Sequence, residues 1–528
     1  MKDKLHMSIA LVFGFAVLAI ASASFAQGTS AQSRTANHHH YKLEVMGTFG
    51  GPTGNFYDNF NNISVLNERG DASGGSADTT IPDPFSPNYQ FSNGVVTRAY
   101  LWKKDSSLTD LGALLGNVTS ASSWLTDNDL VAGLSENGKI DPSVTDMPEM
   151  SAVLWRKGKI IDLGPFPGGG LQSFANSVNS RGQVVGAATN LTLDPNSLYQ
   201  ADSSSWLVPY PYQLRAFIWD EKNGMQDLGT LGEGTNADAQ IINERGQVIG
   251  VATTNSAVGN CGGYSLASFI WDKEHGMRDL GGLGGTCTYA FAINNHGQVV
   301  GDSNTPGDTI QRAFLWENSS LRDLGGSLGG LKTGANAINE KGETVGYAAL
   351  PGETYTHATL WKKSGQLFDL GTVGSDLCSF AWAINNKSQI LGESDSADCV
   401  YFDGASPFLW ENGSLIDLNN LIPSNSPLHL VYAYSINDRG EIAGNGWDAN
   451  GNEHAFRLIP CDEEHPDLDG CDYDAMEGET EAAVRSTQIT HAPAPASAKL
   501  SPAETMTRLR SLRAGRTRRF GTPQTSPK

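Results

Sequence analysis

Short apolar runs bounded by turn residues recur along most of the chain, and they predict β-strands. One run ends in Asn and is followed by a tight polar turn and a second run that closes on Gly, as in IINERGQVIG (241–250) and AINNHGQVVG (292–301). After an insert of variable length comes a third run, such as AFLW (313–316), and then a segment ending in Asp-Leu-Gly. Each repeating unit therefore predicts four short strands in a fixed order.

The spacing of these signals is constant, which distinguishes a true repeat from chance. The Asn and the closing Gly of the first two runs recur as Asn67/Gly74, Asn179/Gly186, Asn243/Gly250, Asn294/Gly301, Asn339/Gly346, Asn385/Gly392 and Asn437/Gly444, and an eighth copy reads Thr126/Gly133. The Trp of the third run recurs at Trp102, Trp155, Trp219, Trp271, Trp316, Trp361 and Trp410. Asn first and Gly fourth in the turn favour a type I turn between antiparallel strands, because Asn bonds back to the backbone and Gly accepts the left-handed conformation.

Four antiparallel strands per unit are typical of one blade of a β-propeller. The N-terminal piece YKLEVMGTFGG (41–51) matches only the last quarter of a unit, whereas the C-terminal piece (435–459) supplies the first three quarters. We therefore predict an all-β, eight-bladed β-propeller over residues 41–460, closed by an N-terminal strand that joins the C-terminal blade. The second unit is the most degenerate, so seven blades remain the alternative.

The units resemble the bacterial extracellular repeats called HAF, after their His-Ala-Phe motif. In this chain the motif starts at His454 and, in altered form, at His357, Arg98, Arg215 and Arg312. The resemblance covers about residues 41–460 and implies an exported repeat protein, but the biochemical role of that family is not established. The strand order and the FIWD ends (217–220, 269–272) are also similar to WD-repeat propellers, a likeness that concerns topology alone.

The composition and the N-terminal segment restrict the classes of partner that the chain can bind and the compartment in which it is expected. The chain of 528 residues has 36 Lys and Arg against 57 Asp and Glu, which argues against nucleic acid as a ligand. Its charged start, short apolar run and small residues predict a signal peptide over 1–26, followed by a linker over 27–40. No later segment is long and apolar enough to span a membrane. We expect a secreted, extracellular or periplasmic protein, monomeric, with no cofactor.

The region after the propeller divides into two parts. Residues 461–475 are acidic and carry two Cys, which predicts a small disulfide-closed cap. Residues 476–528 are rich in Ala, Pro, Thr, Ser and Arg and predict a disordered tail.

The six cysteines fit an oxidising compartment. Cys287 and Cys378 occupy the same place in their repeats, and Cys261 and Cys399 lie in inserts on the same predicted face. We expect the pairs Cys261–Cys287, Cys378–Cys399 and Cys461–Cys471, although six cysteines allow about 15 connectivities.

The sequence motifs favour a binding function over a catalytic one. No nucleophile, zinc or phosphate-binding motif is present, so neither a catalytic residue nor a metal ligand is assigned. The repeated Trp and Asp are expected to be structural, because a residue at the same place in every repeat normally packs blade against blade. The turns after the Asn lie on one face, here called the turn face. The Gly loops and the long inserts lie on the other, here called the insert face.

Variable loops on a rigid scaffold usually carry binding. The aromatic cluster of the longest interior insert, Trp206, Tyr210 and Tyr212, supplies the candidate ligand residues. We expect a non-enzymatic module that presents the insert face to a glycan, a peptide or a surface partner protein. The alternatives are a polysaccharide hydrolase or lyase, with several acids clustered at one end of the channel, and a structural envelope or matrix protein.

Overall fold

The computed structural model describes residues 39–56, 64–83, 94–142, 148–194, 212–254, 266–396, 399, 405–465, 468 and 471. All of them belong to one compact unit that comprises residues 37–528. Among these residues every element is a β-strand except the short 3-10 helix η1 (Leu418–Asn420). In the same part of the chain, no helix has the length and apolar character needed to cross a bilayer. The predicted signal peptide, most of the linker and the predicted tail lie outside the described residues.

Six blades are regular four-stranded antiparallel sheets, numbered here 2 to 7 in chain order. Blades 2 to 4 consist of β7 (Ser120–Leu125), β8 (Val131–Ile140), β9 (Pro148–Arg156), β10 (Lys159–Asp162), β11 (Ser173–Val178), β12 (Val184–Leu193), β13 (Tyr212–Asp220), β14 (Gly224–Asp227), β15 (Ala237–Ile242), β16 (Val248–Thr253), β17 (Leu266–Asp272) and β18 (Gly276–Asp279). Blades 5 to 7 consist of β19 (Thr288–Ile293), β20 (Val299–Asn304), β21 (Gln311–Glu317), β22 (Ser320–Asp323), β23 (Thr333–Ile338), β24 (Thr344–Ala349), β25 (Thr356–Trp361), β26 (Leu367–Gly371), β27 (Cys378–Ile384), β28 (Ile390–Asp395), β29 (Ser406–Glu411) and β30 (Ser414–Asp417). In each, the strands follow one another from the inside of the ring to the outside.

Blade 8 is built from both ends of the propeller, as predicted. Its first three strands are β31 (His429–Ile436), β32 (Ile442–Trp447) and β33 (Glu453–Pro460), and its fourth is β1 (Tyr41–Val45). β1 pairs antiparallel with β33, from Tyr41 opposite Pro460 to Val45 opposite Phe456. This closure leaves no open sheet edge between the termini.

Blade 1 is the irregular one. It comprises β2 (Gly50–Phe56), β3 (Gly75–Pro82), β4 (Val95–Arg98), β5 (Tyr100–Trp102) and β6 (Leu108–Asp110). β2 pairs with β3, at Phe56 opposite Gly75, and the segment before Asn67 pairs with the residues just before β3, at Leu66 opposite Ala72. The inner strand is thus in two pieces. With the six regular blades and blade 8, the propeller has eight blades.

The hydrophobic core lies between the blades. One cluster joins Leu154 of blade 2 to Phe217 and Trp219 of blade 3, and another joins Leu315 of blade 5 to Trp361 of blade 6. Trp361 is fully buried, and its indole N–H donates to the carbonyl of Gly325 in the preceding blade at 3.1 Å. The repeated Trp therefore packs one blade against the next.

The eight turns that follow the inner strands form a closed ring on the turn face, here called the turn ring. In blades 1 to 7 an Asn side-chain amide donates to a backbone carbonyl in the turn of the next blade. This Asn is the repeat Asn, except in blade 2, where it is Asn128. In blade 8 the amide of Asn437 donates to the carbonyl of Asn67 in blade 1 and so closes the circle. The eight distances range from 2.8 to 3.2 Å. Eight successive bonds that return to their start independently confirm eight blades.

The segment after the last strand folds back towards this ring. The backbone N–H of Cys461 donates to the carbonyl of His40 at 2.8 Å, and Lys387 forms an ion pair with Glu464 at 2.8 Å. His465 is 8% exposed, and its Nδ1 lies 2.7 Å from Asp462. Nε2 of His465 also lies 3.5 Å from Glu441 in the turn of blade 8. These contacts hold the start of the predicted cap against the turns of blades 7 and 8.

Candidate ligand channel

The inner strands surround a central channel, because each of β7, β11, β15, β19, β23, β27 and β31 contacts the inner strand of a neighbouring blade. Every one of these seven strands carries a β-bulge three residues before the repeat Asn, or before Thr126 in blade 2. A bulge redirects the side chain of the extra residue. The bulged residues are Ser123, Asn176, Gln240, Phe291, Asn336, Trp382 and Tyr434.

The fifth residue before the repeat Asn is the second variable position of each inner strand. From blade 2 to blade 8 these residues are Ala121, Phe174, Asp238, Tyr289, Gly334, Phe380 and Tyr432. The two variable positions differ from blade to blade, although the rest of each strand is repetitive. Seven of the larger polar and aromatic residues at these positions keep partial exposure although they lie on inner strands, namely Asn176, Asp238, Gln240, Tyr289, Trp382, Tyr432 and Tyr434. Partial exposure at the centre of the ring shows that they line the channel.

Aromatic residues line one half of the channel, and we call them the aromatic arc: Tyr289, Phe291, Phe380, Trp382, Tyr432 and Tyr434. They form three pairs, one per strand, with ring centroids 5.6 to 6.2 Å apart and ring planes within 8 to 17° of parallel. Phe291 and Phe380 are buried beside their partners. Each pair therefore forms one continuous aromatic surface with a solvent-accessible part.

Tyr347 of blade 6 fills the gap between these pairs. A Cβ atom added at Gly334 would lie 2.2 Å from the Tyr347 ring, so the absence of a side chain there admits that ring. The Tyr347 ring is tilted against Phe380, with centroids 5.1 Å apart. Tyr347 is itself only 4% exposed, so its ring packs against the aromatic arc and is not part of the accessible surface.

Polar residues line the opposite half, and we call them the polar arc: Ser64, Ser123, Asn176, Asp238 and Gln240, all half-buried. Ser123 donates to the Ala175 carbonyl at 2.6 Å, and Asn176 donates to the Ala239 carbonyl at 2.9 Å. In blade 6, Asn336 donates to the Ala381 carbonyl at 2.8 Å in the same way. The bulged polar residues thus donate hydrogen bonds to backbone carbonyls on the inner strand of the next blade.

Asp238 is the acid of the polar arc. Its Oδ1 accepts a hydrogen bond from Asn176 at 2.8 Å, and the Gln240 side chain also bonds to it. Burial raises the pKa of the Asp238 carboxyl to about 6, although these two hydrogen bonds act in the opposite direction. On the inner strand of the next blade, β19, burial raises the pKa of the Tyr289 hydroxyl to about 12. Gln240 Oε1 is buried and has no hydrogen-bond partner.

The turn ring carries a second set of acids. The residue after the repeat Asn is Glu68, Asp127, Glu244, Glu340 or Asp438 in five blades. Each of these carboxylates accepts the backbone N–H of the corresponding residue in the preceding blade, for example Glu340 from Asn295 at 3.0 Å. Burial raises the pKa of Glu68, with Asp438 and Asp127 adding to the effect and its backbone hydrogen bond opposing it. These acids hold the turns together, next to basic residues of the same turns such as Arg69, Arg245 and Arg439.

The loop residues proposed from the sequence are only partly described. Tyr212 is half-buried at the start of β13 and lies opposite Leu193, which is 67% exposed on the insert face. Trp206 and Tyr210 lie outside the described residues. The structure therefore places Tyr212 on a long hairpin of the insert face and does not bring it together with the two arcs.

The expected disulfides are present where both cysteines are described. Cys378–Cys399 and Cys461–Cys471 are disulfides, each with a Cα–Cα distance of 5.6 Å. Cys287 is disulfide-bonded as well, and Cys261, its expected partner, lies outside the described residues. Cys378 and Cys399 pack against Phe380 and Trp382, so this disulfide supports part of the aromatic arc.

The HAF motif has a structural role that the sequence did not reveal. Its first residue pairs with the Asp of the following Asp-Leu-Gly across the third and fourth strands, as in Arg215–Asp227 at 2.8 Å and His357–Asp369 at 3.0 Å. The same Asp accepts the N–H of the Gly two residues later, at 2.8 Å for Asp369 and Gly371. These acids bind the backbone and their own blade.

No metal site emerges from the described residues, in which no group of three or more His, Cys, Asp and Glu side chains could hold an ion. The acidic loop 302–309 uses Asp308 as a clamp. Its carboxylate accepts the N–H and the hydroxyl of Thr286 at 2.7 and 2.9 Å.

Comparison with known proteins concerns the fold alone. No protein-family model and no curated protein matches the sequence. Among solved structures, the chain is similar to Pyrococcus horikoshii acylaminoacyl peptidase (TM-score 0.37, 11% identity, 64% of this chain and 50% of that chain). It is also similar to Porphyromonas gingivalis dipeptidyl peptidase 4 (0.41, 7%, 66% and 53%) and to the polysaccharide lyase Uly1 (0.32, 8%, 80% and 99%). The chain spans about half the length of the two peptidases.

Proposed function

We propose that the chain is an exported, non-enzymatic binding module of the HAF-repeat type, which takes its ligand into the central channel from the insert face. The observation that carries this proposal is the two-sided wall, with the aromatic arc on blades 5, 7 and 8 and the polar arc on blades 1 to 4. Ligand sites typically combine an apolar surface with a few convergent polar groups. The disulfides among the described residues support an oxidising compartment outside the cytoplasm.

The wall favours binding over hydrolysis. Glycoside hydrolysis commonly uses two carboxyl groups on opposite sides of the bond, roughly 5 to 9.5 Å apart. Among the described residues at the two variable positions, Asp238 is the one carboxylic acid. The acids of the turn ring already accept backbone N–H groups of neighbouring turns.

The test is binding of residues 27–528 to an array of oligosaccharides, peptidoglycan fragments and peptides, with product release followed in the same wells. We expect a ligand whose affinity falls at least about tenfold in Trp382→Ala and in Tyr434→Ala, because these rings form the accessible aromatic surface. Phe368→Ala is the matched control, since Phe368 lies on the outer strand β26 and is 38% exposed. Binding that is equal in all three variants would place the site elsewhere, and product release would show an enzyme.

A further inference from the structure

The ligand class can be inferred from the way the two arcs face each other, if the channel is the binding site proposed above. We propose that the channel binds an uncharged saccharide chain, with the apolar faces of the sugar rings on the aromatic arc and the hydroxyl groups on the polar arc. A sugar ring has C–H groups on its faces and hydroxyl groups around its rim. An aromatic wall opposite a hydrogen-bonding wall matches both parts of such a ring.

The polar arc offers acceptors to a hydroxyl-rich ligand. The carboxylate of Asp238 and the side-chain oxygen of Gln240 lie on the same strand, two residues apart, and Gln240 Oε1 has no hydrogen-bond partner. A buried acceptor without a partner destabilises the unliganded protein, and rotation of the half-buried Gln240 amide towards the channel would let a ligand O–H remove that penalty. Hydroxyl groups can also accept from the amide of Gln240 and donate to Asp238 in one arrangement.

An extended peptide is a poorer match to the same wall. Peptides commonly bind in channels and grooves by adding a strand to a free sheet edge. The inner strands are the free edges here, but Ser123, Asn176 and Asn336 already donate to the edge carbonyls of Ala175, Ala239 and Ala381. The propeller therefore caps main-chain acceptors that strand addition would need, and presents side chains in their place.

The charge of the channel selects against acidic saccharides. Asp238 is the one charged residue at the two variable positions that the structure describes. Among the described residues at the two variable positions, none is Lys or Arg. A carboxylated or sulfated chain would meet the like charge of Asp238 with no cation at these positions to offset it, which costs binding free energy.

The experiment is isothermal titration calorimetry of residues 27–528 with neutral hexasaccharides of glucose, xylose, mannose and N-acetylglucosamine. A hexamer of galacturonic acid and a set of uncharged hexapeptides serve as comparators. We expect at least one neutral hexasaccharide to bind and the galacturonate hexamer to bind at least about tenfold more weakly. Gln240→Ala should weaken the neutral ligand about five- to tenfold, and Asp238→Asn by a similar factor.

Gln226→Ala is the control for the amide, because Gln226 is exposed on the outer strand β14 and should leave the affinity unchanged. Thermal unfolding of each variant shows whether the propeller remains folded. Tighter binding of the galacturonate hexamer, or a saccharide affinity untouched by Gln240→Ala and Asp238→Asn, would overturn the inference. Peptide binding that requires Trp382, with no saccharide bound, would overturn it too but leave the channel as the binding site. Absence of any Trp382-dependent ligand would overturn both proposals.

Discussion

The turn ring and the channel wall are built from the same eight inner strands, yet they follow opposite rules. At the turn, the repeat Asn makes the same contact in one blade after another. Its side-chain amide donates to a backbone carbonyl of the next turn at 2.8 to 3.2 Å. At the third and fifth positions before it, the side chains differ in almost every blade. Repetition thus marks the positions that hold the ring closed, and variation marks the positions that line the channel.

The contrast between repeated and varied positions is clearest where blade 8 meets blade 1, because the ring closes there between distant parts of the chain. Arg457 stands where the regular blades carry Ile or Leu, and it is fully buried. Its guanidinium donates to Glu44 and to the carbonyl of Gly70, and reaches the carbonyls of Lys103 and Lys104 at 3.2 Å. It also lies 4.8 Å from the centre of the Trp102 ring. One side chain thus joins β1, β33 and blade 1.

The largest effect is expected from Arg457→Ala. The variant leaves Glu44 and three carbonyls of the junction without their buried donor, which should lower the free energy of unfolding by about 3–5 kcal/mol. Burial alone would raise the pKa of Glu44, but the Arg457 guanidinium holds it below its usual range. The Glu44 contribution is therefore present above the pKa of unfolded Glu and is lost as the pH falls through the lowered value.

Urea unfolding at neutral pH and in acid measures both effects. Arg156→Ala is the matched control, because Arg156 forms an exposed ion pair with Glu221 at 3.0 Å and should change stability by about 0–1 kcal/mol. Equal losses in the two variants would mean that the closure does not depend on the buried guanidinium.

The next effect concerns the turn ring itself. Asn339 is 5% exposed, donates to the Asn385 carbonyl at 3.1 Å and to Glu343 at 2.9 Å, and accepts two backbone N–H groups. Asn339→Ala should cost about 2–3 kcal/mol, since buried groups lose their partners. Asn386→Ala, at the half-buried position next in the ring, should cost less.

Asn339→Ala and Trp382→Ala sharpen the comparison when ligand affinity is measured beside thermal unfolding. Asn339→Ala should leave the affinity of the channel ligand unchanged, whereas Trp382→Ala should lower it and leave the melting temperature closer to that of the parent. A turn variant that weakened the ligand as much as Trp382→Ala would contradict the division between ring and wall.

A smaller effect of opposite sign is expected on the wall. Burial raises the pKa of Asp238 to about 6, above the value near 3.9 of an unfolded Asp. The folded state then binds the proton more tightly, so this group favours folding most at low pH and progressively less as the pH rises through about 6. Asp238→Asn should therefore stabilise the protein by about 1–2 kcal/mol above pH 7.

Urea unfolding between pH 4 and 8 tests this sign. The gain of Asp238→Asn should shrink as the pH falls from about 6 to about 4. Asp369→Asn is the counterpart, because the pKa of Asp369 is lowered and its loss should be destabilising at neutral pH. A destabilised Asp238→Asn at pH 7.5 would show that the carboxylate serves the fold and is not retained for a ligand.

Much of this architecture could be predicted from the sequence, for a physical reason. Strands, turns and blade closure depend on short local patterns, such as Asn first and Gly fourth in a turn, and the repeat shows them several times over. The wall could not be predicted in the same way, because its side chains are placed by a bulge in each inner strand, which no residue type marks. A signal existed in the variability of two positions, Asp238 and Gln240 among them, within strands that otherwise repeat.

The role of Arg457 was hidden for a different reason. Its partners Gly70 and Glu44 lie 387 and 413 residues away along the chain, so no local pattern connects them. The visible trace was a charged residue at a place where other blades carry Ile or Leu. A departure from the repeat at a structural position pointed to the closure, whereas departures on the inner strands pointed to the channel.

The smallest effect is expected at the first residue of the HAF motif, where the repeated ion pair contributes least to the free energy of unfolding. His357 lies 3.0 Å from Asp369, whose side chain is 41% exposed. Burial would raise the pKa of Asp369, but the hydrogen bonds from His357 and Gly371 outweigh it and lower that pKa. His357→Ala should therefore cost only about 0.5 kcal/mol at neutral pH, and the difference should vanish as acid protonates Asp369. His357→Arg, which copies the Arg of Arg215 and Arg312, should restore the loss, as urea unfolding at neutral and low pH can measure. A loss several times larger, or one that Arg fails to restore, would mean that His357 does more than pair two strands of one blade.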